Sequence, residues 1–319
     1  MSSAASDPKM VRVRTGSRLH FGLLDVAAPF GGIGVMVDEP STEVAIRFSD
    51  KFSCDPDFAD RIEPIGRRIA DFAGLVTLPS CRVEVNRNAF AHLGLGSGTQ
   101  MAMAIAEGIC QSLDLQVTKQ QLVGFAQRGK RSAVGVHGYF AGGLIFESGN
   151  DGEPSGNELN TIQSQVVLPA EWCVCVFRPA AESPQVSGDL EQQQFAELSS
   201  VDSVTMKRLT DLIRDGILPA AEAGEFRTFA TSVQAYNHAS GLLFESVQGG
   251  PYNGAAVAEL VQTLERHGAQ GIGQSSWGPG VFTWFESQRE AEVFGEQLPQ
   301  SATLVAITHP RATGRELSG

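Results

Sequence analysis

Between Val11 and Arg14 apolar and polar residues alternate with a period of two, which predicts a strand with Val11 and Val13 on its buried face and Arg12 and Arg14 on the other. Residues 42–48 and 81–85 are two further short, β-branched runs of strand type. Residues 98–113 are apolar over helical length, and 118–128 predict a second helix with Thr118 as its N-cap. A glycine-led strand follows over 142–147. Residues 148–165 are rich in Gly, Asn, Ser and Asp, and predict a surface loop leading to a domain boundary. The second half opens with a strand over 172–177. Helical patterns follow at 190–198, 203–214, 220–233 and 255–267, and strands at 280–285 and 302–307 flank a short helix near 289–298. Helices laid against small sheets make the fold class α+β.

At 319 residues the chain has room for two domains, divided here at 10–165 and 166–310, with the polar residues 1–9 as a disordered lead-in. Its 42% hydrophobic and 19% charged content is that of an ordinary soluble globular protein. A net charge of −12 argues against broad binding to nucleic acid or to an anionic membrane, but leaves room for a local basic pocket. No apolar run is long enough to cross a bilayer, and the start has no signal-peptide core. Of the five cysteines, Cys173 and Cys175 lie in an apolar run and are read as small core residues of a cytoplasmic protein.

The candidate chemistry lies in three segments. Gly94-Leu95-Gly96-Ser97-Gly98-Thr99-Gln100, preceded by His92-Leu93, is a glycine-rich loop that runs into the apolar helix. Glycines let a backbone approach an anion, and the helix N-terminus adds unpaired N–H groups and a positive dipole end. Ser97 and Thr99 add hydroxyls, so the loop is a candidate phosphate cradle; the competing reading is a tight turn that caps a core helix. Near the start, Leu19, Phe21 and Leu23 alternate with Arg18, His20 and Gly22, which sets Arg18 and His20 on one strand face with Asp25 just beyond. The cluster Phe30-Gly31-Gly32-Ile33-Gly34 follows a short loop later and favours a site rim over plain surface. The third segment, Arg128-Gly129-Lys130-Arg131-Ser132-Ala133-Val134-Gly135-Val136-His137-Gly138-Tyr139, is read as a basic loop suited to a polyanionic small molecule. Arg128 is also explained as a helix C-terminal cation.

Weaker candidates have plainer explanations. Asp189, within Ser187-Gly188-Asp189 and before Glu191, suits a helix N-terminus. Asn237-His238 is read as a helix-face or packing pair, and Trp172 as core. Trp277, beside Gln274 and Ser276, would line an aromatic pocket. His309-Pro310-Arg311 is a candidate phosphate contact.

Together these segments resemble the GHMP kinase superfamily. Gly16-Ser17-Arg18-Leu19-His20-Phe21-Gly22 looks like its first motif, Gly94–Gly98 like its phosphate loop, and Gly271-Ile272-Gly273-Gln274-Ser275-Ser276-Trp277-Gly278-Pro279-Gly280 like its late glycine motif. The resemblance implies an N-terminal domain like the second domain of ribosomal protein S5 and a ferredoxin-like C-terminal domain. Many members carry a catalytic aspartate in a Ser-Gly-x-Asp segment. Here that segment falls on Ser132-Ala133-Val134-Gly135, and glycine cannot take a proton. The departures resemble one branch, the β-ribofuranosylaminobenzene 5′-phosphate synthase family, whose members join para-aminobenzoate to phosphoribosyl pyrophosphate. They release CO2 and pyrophosphate at the start of methanopterin synthesis.

The resemblance implies a decarboxylating pentosyltransferase that works on small molecules, as a cytoplasmic homodimer, with Mg2+ on the diphosphate and no PLP or nicotinamide. Arg131 and the Gly94–Thr99 loop would cradle the leaving pyrophosphate, with Gln100 and Ser132 beside them. Asp25 and Glu147 are the candidate metal ligands. Arg18 would hold the benzoate carboxylate. His20 and His137 would orient the donor or take the amine proton, and each also reads as a structural histidine. Gln274, Ser275, Ser276 and Trp277 would line the substrate pocket. The acceptor stays open between an aminobenzoate and a hydroxybenzoate. The competing functions are an ATP-dependent small-molecule kinase and a non-catalytic ligand sensor on the same fold.

Overall fold

The computed structural model describes residues 10–28, 30–89, 93–149, 159–180, 198–299 and 301–319. His92, Asp189, Glu191, the 1–9 lead-in and nearly all of the helix expected over 190–198 lie outside them.

Alternation in the first forty residues builds two long strands. β1 (Met10–Leu23) pairs antiparallel with β2 (Gly32–Phe48), with Val13 opposite Val44 and Leu19 opposite Val35. β3 (Ser53–Cys54) and β4 (Cys81–Arg87) extend the sheet beyond β2. β5 (Leu144–Ser148) also pairs with β2, and β6 (Thr161–Val166) pairs with β5. α1 (Ala59–Ala73) and α2 (Ser97–Ser112) cover this sheet on one side. α2 carries alternating alanines and methionines, and Gly108 lets it lie close: a Cβ there would sit 2.1 Å from Ile46 Cδ1. α3 (Lys119–Ala126) begins at the expected Thr118, which forms a complete capping box with Gln121.

A second antiparallel sheet has the order β10-β7-β9-β8, with β7 at Cys173–Pro179, β8 at Gln270–Gln274, β9 at Val281–Phe285 and β10 at Ala302–Thr308. Helices α5 (Ser203–Asp211), α6 (Leu218–Ala223), α7 (Phe226–Gly241), α8 (Glu245–Gln248), α9 (Ala255–Arg266) and α10 (Gln288–Glu296) complete this half. One core joins the halves: Leu19 and Phe21 of β1 pack with Phe229, Phe282 and Trp284, and Trp172 is core as expected. The Phe21 and Phe282 rings lie 5.3 Å apart.

Several expectations change. The loop expected over 148–165 ends in a strand, because 161–166 find an edge on β5. The basic loop is shorter than read, since α4 (Val134–Ala141) occupies its second half. The helix expected over 220–233 is two helices broken at Gly224, which takes φ +70°. Residues 316–318 form β11 and return to pair with β1, so the chain beyond 310 belongs to the first sheet. Arg311 is buried on Asp38 (2.9 Å) and Glu316 (2.8 Å), which makes it a fastening of this returning tail and not the phosphate contact expected. All five cysteines are free thiols, and burial pushes Cys81 and Cys110 up to about 12, which leaves them inert at neutral pH.

Candidate functional site

A cavity of about 430 Å³ opens between β1, the 127–132 turn, α7 and the loop after β8. Arg18, Arg128, Lys130 and Arg131 line it, and no carboxylate does among the described residues. Four cations around one cavity, in a chain of net charge −12, make a local anion site. Leu23, Phe244 and Trp277 also contribute to the lining. The Phe244 and Trp277 rings meet edge to face at 5.0 Å, which offers a planar apolar molecule an aromatic wall.

The strand period sets the site. Leu19 and Phe21 are fully buried in the shared core, so the alternate residues Arg18 and His20 meet the cavity. The Arg18 backbone N–H donates to Leu95 O at 2.8 Å, and its guanidinium lies 3.4 Å from Gly94 O. The His20 N–H donates to Ser275 Oγ (3.0 Å), and that hydroxyl donates to Gly94 O (2.8 Å). Ser275 therefore ties β1, the glycine-rich loop and the late loop together; its polar atom serves the scaffold.

The glycine-rich loop is divided in use. Thr99 reaches the cavity, whereas Leu95 is core. Gln100 is fully buried, accepts from Thr15 Oγ1 and donates to Gly135 O, both at 2.7 Å. Gly94 and Gly96 serve close packing: a Cβ on Gly94 would fall 1.9 Å from Ser275 O, and one on Gly96 3.3 Å from Arg18 Cβ. Ser97 is buried, and Gly98 faces a smaller neighbouring hollow that Arg61, Arg68 and Arg128 also line. Gly94, Leu95, Gly96, Gln100 and Ser275, expected as substrate contacts, do not line the cavity and hold the surrounding loops in place. Gln274, Ser276 and Trp277 do line the cavity.

Asn237 does more than the packing read from sequence. Its Nδ2 donates to Phe21 O (2.7 Å) and Gln274 O (2.8 Å), and its Oδ1 accepts from Gln274 N (2.9 Å). It locks β8 to β1 across the cavity floor. Phe244 escaped the sequence reading, since a lone phenylalanine in a short turn carries no pattern.

The expected site residues His137, Asp25 and Glu147 also stand outside the lining. His137 on α4 has Nε2 2.8 Å from Asn160 O and 3.9 Å from Glu147 Oε2. Asp25 accepts from Ala27 N (3.0 Å), Ser200 Oγ (2.7 Å) and Val201 N (3.0 Å), which fastens the 198–201 segment to the end of β1. Glu147 is fully buried beneath Ser132, and both its oxygens accept from Ala133 N, at 2.9 and 3.0 Å. Neither carboxylate is placed to meet a cavity-bound metal. Among the described residues no three His, Cys, Asp or Glu gather as a metal group. The described residues therefore offer no ligand set for a protein-held Mg2+.

Burial, followed by the nearby Arg18 charge, holds His20 well below the usual imidazole value, so it is neutral at pH 7. Burial pushes the Glu147 carboxyl up to about 7 against opposing hydrogen bonds from Ser132, Asn160 and Ala133. Its raised value favours the folded state most when the carboxyl is protonated. That contribution is present below pH 4.5 and is lost as pH rises through about 7. We expect Glu147→Gln to remove roughly 3 kcal/mol of pH-dependent stability between pH 4.5 and 7.5. Urea titrations across that range check it; parallel wild-type and variant curves would contradict the assignment.

At Gly135 a Cβ would meet Gln100 Nε2 at 3.6 Å and Arg18 Nε at 3.7 Å, ordinary contact distances. A side chain's first carbon would therefore fit at Gly135 without a clash.

Comparison with known proteins agrees with this architecture. The GHMP kinases N terminal domain model matches residues 63–143 and the GHMP kinases C terminal model matches 217–303, together more than half of the chain. The homoserine kinase of Cytophaga hutchinsonii shares the fold over 100% of both chains, with a TM-score of 0.71 at 16% identity. The chain belongs to the GHMP kinase superfamily. Within it, the chain is similar to enzymes named beta-ribofuranosylphenol 5′-phosphate synthase. The Methanothermobacter thermautotrophicus protein is 26% identical over 85% of this chain and 87% of its own length. The Archaeoglobus fulgidus protein is 27% identical over 87% and 88%.

Proposed function

We propose that this enzyme transfers a phosphoribosyl group from phosphoribosyl pyrophosphate to para-aminobenzoate, with loss of CO2 and pyrophosphate. The observation that carries the reading is the cavity itself, with four cations, an aromatic wall and no carboxylate among its described residues. A diphosphate leaving group gains negative charge as the ribose anomeric carbon becomes oxocarbenium-like, and preorganised cations favour that change. Arg131, Arg128 and Lys130 with Thr99 hold the diphosphate, and Arg18 the benzoate carboxylate, while the ring lies against Trp277 and Phe244.

The nucleophile is the ring carbon that bears the carboxylate. Its para amino group feeds electron density to it. Attack opposite pyrophosphate inverts the α donor to a β product, and loss of CO2 restores aromaticity. The carboxylate leaves where a proton normally would, so the glycine at the kinase base position costs nothing. Mg2+, if present, enters with the diphosphate and is held by it and by water. The product would begin methanopterin synthesis in the cytoplasm, with the enzyme as a homodimer.

The name of the relatives, beta-ribofuranosylphenol 5′-phosphate synthase, supplies a second reading of the acceptor. A ribofuranosylphenol is what the same chemistry yields from para-hydroxybenzoate, whose hydroxyl donates electrons as the amine does. The test sets both acceptors side by side with phosphoribosyl pyrophosphate, and ATP with small alcohols in a parallel arm. Pyrophosphate release that depends on one benzoate, without ADP formation, is expected. ADP formation would establish the kinase instead. Donor binding without turnover on either acceptor would establish the sensor.

A further inference from the structure

The side of the cavity built by α7, α8 and the late loop carries the polar side chains Asn237, Ser240, Gln248, Gln274 and Ser276. Most of their polar atoms are committed to the scaffold. Asn237 is spent on Phe21 and Gln274. Gln274 Nε2 donates to Ser276 O (2.9 Å), and its Oε1 accepts from Asn253 N (2.8 Å). Ser240 Oγ donates to Leu23 O at 2.8 Å. Gln248 differs. Its Nε2 donates to Gly241 O and to Gly250 O, both at 2.9 Å, which uses both amide protons. A flipped amide would set its oxygen against those two carbonyls, so the orientation is fixed. Gln248 Oε1 accepts no hydrogen bond from the described residues and is not a buried atom. It is a held group that accepts and cannot donate. The Ser276 hydroxyl, also without a bond to the described residues, both donates and accepts and so sets no such condition.

Gln248 ends the short turn that carries Phe244, and Phe244 packs with Leu23 and Trp277. Arg18 lies earlier than Leu23 on β1. A benzoate with its carboxylate on Arg18 and its ring against Trp277 and Phe244 turns its para substituent toward Gln248.

We propose that Gln248 selects the acceptor: its Oε1 accepts a hydrogen bond from the para N–H or O–H and steadies the positive charge that gathers there as the carbon–carbon bond forms. The inference rests on the transfer reading above. The bond from the ring carbon to the ribose anomeric carbon forms as the bond from that anomeric carbon to diphosphate oxygen breaks. The ring supplies the electron pair, and the para heteroatom shares its lone pair to make a C=N or C=O bond that bears the positive charge. Its N–H or O–H becomes a stronger donor, so the contact with Gln248 strengthens in the transition state. The carbon–carboxylate bond then breaks, its electron pair restores the aromatic ring, and CO2 leaves with no proton gained or lost. A neutral amide suits this course, since no proton has to be moved.

Calorimetry of benzoate binding, with pyrophosphate present, reads the contact without turnover. Wild-type protein is expected to bind para-aminobenzoate about 10-fold more tightly than para-methylbenzoate, which has nearly the same shape and no donor. Gln248→Met is expected to shrink that gap to within about twofold, because the amide oxygen is gone. A gap that persists in the variant, or a folded variant that binds neither ligand, would make Gln248 only the staple of its turn and overturn the proposal. Equal binding of the two ligands to the wild type would overturn it as well. In turnover, Gln248→Met is expected to lower kcat about 10-fold and to leave the donor KM within about twofold. An unchanged kcat would contradict the charge-steadying role. If the wild type shows the binding gap yet releases neither pyrophosphate nor CO2, the transfer reading fails while Gln248 stands as the reader of a para donor.

Discussion

Arg131→Ala is expected to lower kcat/KM for phosphoribosyl pyrophosphate by about 10³-fold while leaving the acceptor KM nearly unchanged. Arg131 lies on the cavity wall between Lys130 and Ser132, and its backbone oxygen accepts from Asn160 Nδ2 at 3.1 Å. That bond steadies the turn whatever the side chain. Substitution removes the guanidinium and leaves that backbone bond in place. The diphosphate gains charge as the donor bond breaks, so the lost interaction is stronger in the transition state than with bound donor, and kcat falls as well as affinity. Arg131→Lys keeps the charge and loses the two-pronged donor; an intermediate loss of about 10-fold is expected. Steady-state kinetics with each substrate varied in turn decide the matter. An alanine variant within threefold of wild type would mean that Arg128 and Lys130 hold the diphosphate without it.

Gly94→Ala carries the largest expected effect on stability. Gly94 has φ +77°, and an added Cβ would lie 1.9 Å from Ser275 O, a backbone atom that cannot rotate away. From the other side, a Cβ on Gly278 would lie 2.1 Å from Gly94 N, so the two loops meet backbone to backbone. Backbone strain and the clash together are expected to cost roughly 3–5 kcal/mol. Gly268→Ala supplies the control. It has φ +83°, and nothing lies within 4 Å of its Cβ position. It is expected to lose only about 1 kcal/mol, from backbone strain alone. Denaturant unfolding of both variants measures the difference. Equal losses would show that the loops can separate at no cost, against the account given of the glycine-rich segment.

The distribution of success between sequence and structure has physical causes. Strand alternation at Val11–Leu23 is strong because one face is buried along its length, and it sets Arg18 and His20 on one strand face, where both line the cavity. The Thr118 capping box is local chemistry and was legible for the same reason. α1 was missed although Ile62, Ile65 and Ile69 follow helical spacing, because Pro64 and many charges interrupt the pattern. β8 was hidden by its glycines, whose place in the sheet is decided by Trp284 and Asn237 packed against them.

The site shows the same division. Residue types pointed to an anion cradle, and four cations do converge on one cavity. Type alone did not separate groups that face a ligand from groups consumed by the scaffold. Asp25, Gln100, Ser275 and His137 all offer suitable chemistry, and each spends it on a neighbour distant in sequence or on a backbone carbonyl. Those partners are tertiary facts. Asn237 is the converse case, an unremarkable helix residue whose position opposite Phe21 and Gln274 makes it the tie across the cavity floor.

The most direct test of the account is release of labelled CO2 from carboxyl-labelled para-aminobenzoate, with para-hydroxybenzoate alongside, in the presence of phosphoribosyl pyrophosphate. The account predicts CO2 and pyrophosphate in equal amounts, each dependent on both substrates. Pyrophosphate release that leaves the carboxyl label on the aromatic product would contradict it, because the carboxylate would then not be the group that the new carbon–carbon bond displaces.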